Sequence, residues 1–206
     1  MLTIWGRISS INVQKVVWAA GEVGQAFERV DLGGKFGGNR EATYLAKNPN
    51  GLVPVLEDGE LCIFESNAIV RYLAARYGAG WIWEEDPAKR AEADLWMDWM
   101  NTQLQPALTP AFWGLIRKSP EHADPALIEA SIEKTDAKLD ILEAHLAGRS
   151  YLAGERFGMA DITVAPGAHR WLHMPVPRKE RPNLQRWYEQ VAARPAAAAA
   201  LVLPVT

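Results

Sequence analysis

The sequence predicts an α/β amino-terminal domain followed by an all-α carboxyl-terminal domain. Up to about Tyr77, short alternating or β-rich runs such as Leu2–Trp5 and Leu61–Phe64 are interleaved with helical patterns. From residue 88 onward strand signals vanish and apolar residues recur at helical spacing. Between the two regimes, Gly78-Ala79-Gly80 and Pro87 bracket a linker whose Trp81 and Trp83 imply that it is pinned to a neighbour. The expected boundaries are 1–80 for the first domain, 81–87 for the linker and 88–206 for the second.

Taken in order, residues 2–5 read as a strand and 6–11 as a loop. A helix starts at Ser10 or Asn12 and runs to about Glu22, with Val13, Val16, Val17 and Ala20 on one face and Gly24 as the stop. The run FERVDL is a second strand, and the β-α-β order implies a right-handed crossover between parallel neighbours. A glycine-rich loop, 33–38, leads to a short helix around 40–46. It lacks the spacing of either nucleotide-binding glycine motif. Residues 53–56 and 61–64 form a hairpin around Asp58-Gly59, a dipeptide suited to positive φ. A helix then follows from Ser66-Asn67.

In the second domain a helix over 88–104 carries Trp96, Trp99 and Met100, and Pro106 and Pro110 kink or restart the helical stretch that reaches Arg117. After Ser119-Pro120 and Asp124-Pro125, a long helix to about Leu146 presents Leu127, Ile128, Ala130, Ile132, Leu139, Leu142 and Leu146. Residues 159–162 open a further helix, 183–193 another, and the alanine run 196–200 a last turn.

Composition narrows the function. The chain has 206 residues, 49% of them hydrophobic, a formal net charge of −3 and no block of basic residues, so neither nucleic acid nor an anionic membrane is an expected partner. One cysteine, Cys62, excludes an internal disulfide framework and fits a reducing cytoplasm; its position in the hairpin suggests a core residue. No apolar run approaches a membrane span, and the expected location is cytoplasmic. His169 and His173 share a helical face, but further ligands for a metal are lacking and no metal is expected.

The densest stretch is NPNGLVPVLEDGELCIFESNAIVRY, residues 48–72. It feeds a strand into a helix N-terminus, where free N–H groups and the helix dipole favour an anion. Ser66 is placed to donate to a carboxylate and Glu65 to hold an ammonium, the two charges of an amino-acid head group. The alternative is that Ser66 only caps its helix and Glu65 only complements the dipole. Pro54 cannot donate to a sheet ladder, so it implies an edge, a bulge or a cis bond, leaving backbone groups of Val53 free for an extended ligand. Lys35 and Arg40 are candidates for a second carboxylate, or simply solvated charges.

The order NP-NG-LVPVL, DG, ESNAIVRYL resembles the glutathione-binding half of the cytosolic glutathione transferases, and the resemblance extends through Met159-Ala160-Asp161-Ile162 to nearly the whole chain. It implies a thioredoxin-like first domain, a cis Val53-Pro54 bond, pairing of Val53 with the cysteinyl backbone of glutathione, and a homodimer. It also implies that Asp161 is a folding residue bonding backbone N–H groups; Gly158, where the family has Ser or Thr, weakens the reciprocal cap. The activity implied is stabilisation of the glutathione thiolate and its attack on a small electrophile. Glutathione-dependent disulfide reduction or isomerisation, and a noncatalytic binding module, are the alternatives.

The family's thiolate donor follows the first strand. Here that loop is Gly6-Arg7-Ile8-Ser9-Ser10-Ile11-Asn12, without tyrosine or cysteine. By resemblance to the serine-using theta and zeta classes, Ser10 is the first candidate. Asn12 is second, since several bacterial enzymes place an asparagine near the sulfur, and Ser9 third. The second substrate is expected between the domains, against Trp5 and Trp113 or Arg117.

Overall fold

The computed structural model describes residues 1–206. Strands β1 (Leu2–Trp5), β2 (Phe27–Val30), β3 (Val55–Asp58) and β4 (Leu61–Phe64) form one mixed sheet in the order β2-β1-β3-β4. β1 and β2 are parallel, with Leu2 opposite Phe27 and Trp5 opposite Val30, while β3 runs antiparallel to both β1 and β4. The intervening helices are α1 (Ile11–Glu22), α2 (Ala42–Leu45) and α3 (Ser66–Tyr77).

Alternation along the strands sorts the side chains by face. Leu2, Ile4 and Leu56 are buried in the main core with Val13, Val16 and Val17 of α1 and Ile69, Val70 and Leu73 of α3. The opposite face is thinly covered: Val55 joins Leu32 and Tyr44 in a small cluster with Trp5 and Phe64 against it. This explains two departures from expectation. Cys62 pairs with Glu57 on that second face of an edge strand and is exposed, not core. The Trp5 indole donates to Glu57 at 2.6 Å with the Lys47 ammonium 5.2 Å from a Trp5 ring, so it packs on the sheet and not against a second-substrate pocket.

The hairpin turn sits one residue later than the sequence suggested. Asp58 and Leu61 still pair, and Gly59 at φ 62° leads a two-residue turn with Glu60. β3 begins at Val55, leaving Val53 and Pro54 just outside the ladder.

The rest is helical: α4 (Pro87–Trp99), α5 (Gln105–Leu115), α6 (Pro125–His145), α7 (Met159–Leu172) and α8 (Pro182–Ala192). Neither proline breaks α4 from α5; a π turn at Met100–Leu104 joins them. Pro106 cannot bond the carbonyl four residues back, and that residue, Thr102, lies inside the widened turn. On α6 the buried positions are Ser131, Thr135, Leu139 and Leu142, whereas Leu127 is exposed. The hydroxyls fit this stripe because Ser131 Oγ donates to the Ala107 carbonyl at 2.5 Å and Thr135 Oγ1 to the Ser131 carbonyl at 2.7 Å. In the connection before α4, Ile82 is buried while Trp81 stays 47% exposed beneath Arg194. No helix is long and apolar enough to cross a membrane.

α7 runs through the centre, buried from Met159 to Trp171, and packs on α1, α4 and α8. Its first turn is fixed by Asp161, whose carboxylate accepts from Leu152 N at 3.0 Å, Gly158 N at 3.0 Å and Trp187 Nε1 at 2.7 Å. Gly158 has no side chain to return a bond to α7, so Asp161 does the tethering alone. Burial pushes its carboxyl up to about 6, opposed by those three hydrogen bonds, and it remains ionised at neutral pH. Asp161→Ala leaves two buried donors and one partly buried donor unpaired; a loss on the order of 3–5 kcal/mol is expected in urea unfolding, and a loss below about 1 kcal/mol would contradict the tether.

Candidate functional site

The carboxyl-terminal end of β1 and the approach to β3 open onto a cleft of about 720 Å³ between the sheet domain and α5. Ser9 and Ser10 from the first loop, Asn12 from the first turn of α1, Val53 from the second loop, and Thr109, Trp113 and Arg117 from α5 and its end all line it. Of the residues expected at a second-substrate wall, Trp113 and Arg117 are therefore present and Trp5 is absent.

Ser10 occupies the position just before α1 with extended φ −91° and ψ 122°, yet its hydroxyl makes no bond to the helix it precedes. The cap is carried by its carbonyl, which accepts from Val13 N at 3.0 Å and Gln14 N at 2.9 Å. The hydroxyl is left for the cleft. The N–H groups of Ile11 and Asn12 have no backbone acceptor, as expected at a helix start, so they too face outward with the positive end of the dipole. Ser9 contributes differently, since its carbonyl accepts from Arg117 Nη2 at 3.3 Å and Arg170 Nη2 at 3.1 Å.

Ser66 is the first residue of α3, not its cap. That place belongs to Glu65, held at φ 72° and exposed, with no side-chain bond to the helix. The Ser66 side chain, 3% exposed, turns instead to α1 and donates to Asn12 Oδ1 at 3.3 Å. Two helix N-termini are thereby joined side by side, and Asn12 keeps its amide N–H groups for the cleft. A positive φ on a residue with a side chain costs roughly 1–2 kcal/mol and is retained where surroundings impose it.

Val53 precedes Pro54 through a cis peptide bond. Neither its N–H nor its carbonyl bonds any other group of the chain. The loop holding it is pinned from outside: Tyr44 Oη donates to the Leu52 carbonyl at 2.7 Å, Asn48 Nδ2 to the same oxygen at 2.8 Å, and Asn39 Nδ2 to the Gly51 carbonyl at 2.7 Å. Sequence reasoning assigned nothing to Asn39, which lines the cleft.

Lys35 and Arg40 are not among the cleft-lining residues. Lys35 lies in an adjoining groove with its ammonium 5.0 Å from the Phe36 ring, and Arg40, exposed, donates to the Asn50 carbonyl at 3.3 Å.

Behind the site lies a charge that the sequence presents as an ordinary helix residue. Lys15, on α1 and fully buried, donates to Asn101 Oδ1 at 2.8 Å in the π turn. Burial lowers its ammonium to about 7, with Glu65 opposing that fall and Arg170 adding to it. Its ordinary value is 10.5, so between about 7 and 10.5 the unfolded chain holds a proton that the folded one releases, and stability rises with pH across that window. Relative to Lys15→Met, the parent should therefore gain on the order of 4 kcal/mol between pH 6 and pH 11 in urea unfolding. A parent-to-variant difference that does not change with pH would refute this. The lost Asn101 bond adds only a constant offset.

Comparison with known proteins bears on what this geometry serves. The chain matches the family model described as "Glutathione S-transferase, N-terminal domain" over residues 1–75 and that of the C-terminal domain over residues 100–195. It is 45% identical over 208 residues, covering 100% of each chain, to "Glutathione S-transferase GstB" of Escherichia coli strain K12. It is 35% identical to "Glutathione S-transferase 3" of Zea mays, covering 98% of this chain and 96% of the relative. Among solved structures it is similar to the theta class glutathione S-transferase of Xanthomonas axonopodis pv. citri with glutathione bound. That similarity has a TM-score of 0.95 and 43% identity, covering 100% of this chain and 99% of the other.

Proposed function

This chain belongs to the glutathione S-transferase family, and from that membership we propose how it holds glutathione and which side chain steadies the sulfur. The protein is an enzyme of that class with glutathione as cosubstrate. The observation that carries the site assignment is the free backbone of Val53 beside two joined helix N-termini.

In the proposed arrangement the cysteinyl backbone of glutathione pairs with the N–H and carbonyl of Val53, whose orientation is set by the bond to Pro54. Ser66 and the first N–H groups of α3 take the γ-glutamyl carboxylate and Glu65 its ammonium. The glycine carboxylate lies toward Asn39 and Arg40, with Lys35 further along the same loop. This spacing leaves the sulfur at the start of α1, where Ser10 Oγ donates to the thiolate. The N–H groups of Ile11 and Asn12 and the Asn12 amide add to the field there. Ser9 is assigned no donor role, because the observed tie to the two arginines is made by its carbonyl.

Free thiol with a pKa near 8.5 is only about 3% ionised at pH 7. Lowering it by about two units needs roughly 2.7 kcal/mol of preferential thiolate stabilisation. A hydrogen bond to a charged acceptor supplies about 1.5–3 kcal/mol and a helix N-terminus roughly 0.3–1. One hydroxyl and one helix start therefore suffice. The thiolate then forms a bond to the electrophile's carbon and the leaving group departs with its electron pair. We also propose a division at about residues 80 and 88, a cytoplasmic location and a homodimer, following the family pattern.

Glutathione-affinity retention with turnover of halogenated or epoxide electrophiles tests the activity; retention without turnover of any would favour a binding module. Ser66→Ala should raise the KM for glutathione about tenfold with kcat little changed, and an unchanged KM would count against that end of the site. In Ser10→Ala the thiol of bound glutathione should titrate at least about one unit higher than in the parent, followed by thiolate absorbance. Superimposable titrations would transfer the role to Asn12.

A further inference from the structure

The charged residues that line the cleft around the Ser9-Ser10 loop are all cations. Arg7, Arg117, Lys118 and Arg170 line it, and no aspartate or glutamate does, in a chain whose formal net charge is −3. None of the three arginines is within ion-pair distance of an acidic side chain; the buried and half-buried cations that do bind carboxylates, such as Arg181 with Asp136 and Asp140, lie elsewhere. Their hydrogen-bonding capacity is also underused. Arg7 Nε and Arg117 Nε are buried with no acceptor. Arg117 Nη2 donates to the Ser9 carbonyl and, at 2.7 Å, to a carboxyl oxygen of Thr206, while Arg170 Nη2 donates to Ser9 alone, so Arg7 and Arg170 have no anionic partner.

Arg170 is 9% exposed, and its guanidinium carbon stands 3.6 Å from the Phe112 ring centroid. That ring fixes the guanidinium and offers it partial compensation, but it is not a counterion. Burial and the mutual repulsion of Arg117 and Arg7 press the Arg170 guanidinium down to about 9. The acid that lines the adjoining groove, Asp31, is already taken by Arg29. Gathering three guanidinium groups around at most one carboxyl group is costly, and their unused donors suit a further anion.

Glutathione does not account for all of these charges. With its α-carboxylate at Ser66 and its glycine carboxylate toward Arg40, the arginines are left on the open side of the sulfur. Resting on that reading, we propose that the second substrate is an electrophile bearing an anionic group of the carboxylate class, seated against Arg7, Arg117 and Arg170 with its reacting carbon toward Ser10. Guanidinium forks suit a planar carboxylate in two-point contact, which would fix the electrophilic carbon as well as attract it. The reaction remains a displacement: a carbon–sulfur bond forms, the carbon–halogen bond breaks, halide leaves with the electron pair, and the thiol proton passes to solvent.

Matched electrophiles that differ only in charge give the test. The full-length protein is assayed with glutathione and either 4-chloro-3-nitrobenzoate or 4-chloro-3-nitrobenzamide, each kcat/KM divided by the uncatalysed rate with glutathione at the same pH. The normalised ratio of acid to amide should be about tenfold or more in the parent. It should fall about tenfold in Arg7→Gln and Arg117→Gln and recover in part in Arg117→Lys, with thermal midpoints measured for each variant. Should a variant fail to fold, the parent alone decides: benzoate, and not benzamide, should inhibit amide turnover competitively against the electrophile and not against glutathione. A ratio near one, inhibition by benzoate competing with glutathione, or turnover of neither electrophile by a protein that still retains glutathione would overturn the anionic-substrate proposal while the transferase assignment stands. Failure to retain glutathione at all would overturn both.

Discussion

The hydrogen bond from Ser66 to Asn12 is the constraint on which the rest of the site depends, because it holds the starts of α1 and α3 side by side at one edge of the sheet. Each helix begins with backbone donors that its own turns cannot satisfy. Bringing two such starts together makes a region of positive potential that neither makes alone, and Val53, with its unpaired backbone, lines the same cleft as the start of α1. The left-handed Glu65 is the backbone's accommodation to this arrangement, since the chain must leave β4 and turn sharply to present Ser66 to α1.

The helical half of the molecule supports that junction through polar ties as well as apolar packing. Asn67 Nδ2 donates to the Met97 carbonyl at 2.7 Å, and Arg71 reaches Asp94 at 2.6 Å and Asp98 at 3.0 Å, fixing α3 to α4. Lys15 crosses from α1 to the π turn, so the irregular backbone around Met100–Leu104 is also where the second half grips the first. The buried lysine and the arginines of the cleft put several cations with few acidic partners within one region. Their desolvation cost is offset elsewhere by the large core shared by α1, α7 and the sheet.

Much of this was legible in the chain. The hairpin, the first-domain element order and an irregular backbone at Val53-Pro54 were readable because turn residues, proline and helix starts impose local rules. Other features depended on neighbours distant in sequence. Cys62 has the alternation of a buried residue, but only the short α2 covers its face of the sheet. Trp5 is an aromatic beside the site by sequence and a sheet-packing residue in space, drawn away by Glu57 52 positions later. Leu127 fits a helical stripe whose buried line is set instead by Ser131 and Thr135, whose hydroxyls find carbonyl acceptors. Arg7 lies within the same loop as Ser9 and Ser10, yet its meaning emerges only once Arg117 and Arg170, more than a hundred residues away, stand beside it. A one-sided lack of acidic residues around one cleft leaves no trace in overall composition.

The most direct measurement is a crystal structure of the protein soaked in glutathione. The account predicts the tripeptide's backbone on Val53, its γ-glutamyl end at Glu65 and Ser66, and its sulfur within hydrogen-bonding reach of Ser10 Oγ. A tripeptide bound elsewhere, a reversed orientation with the sulfur away from α1, or an empty cleft would contradict it.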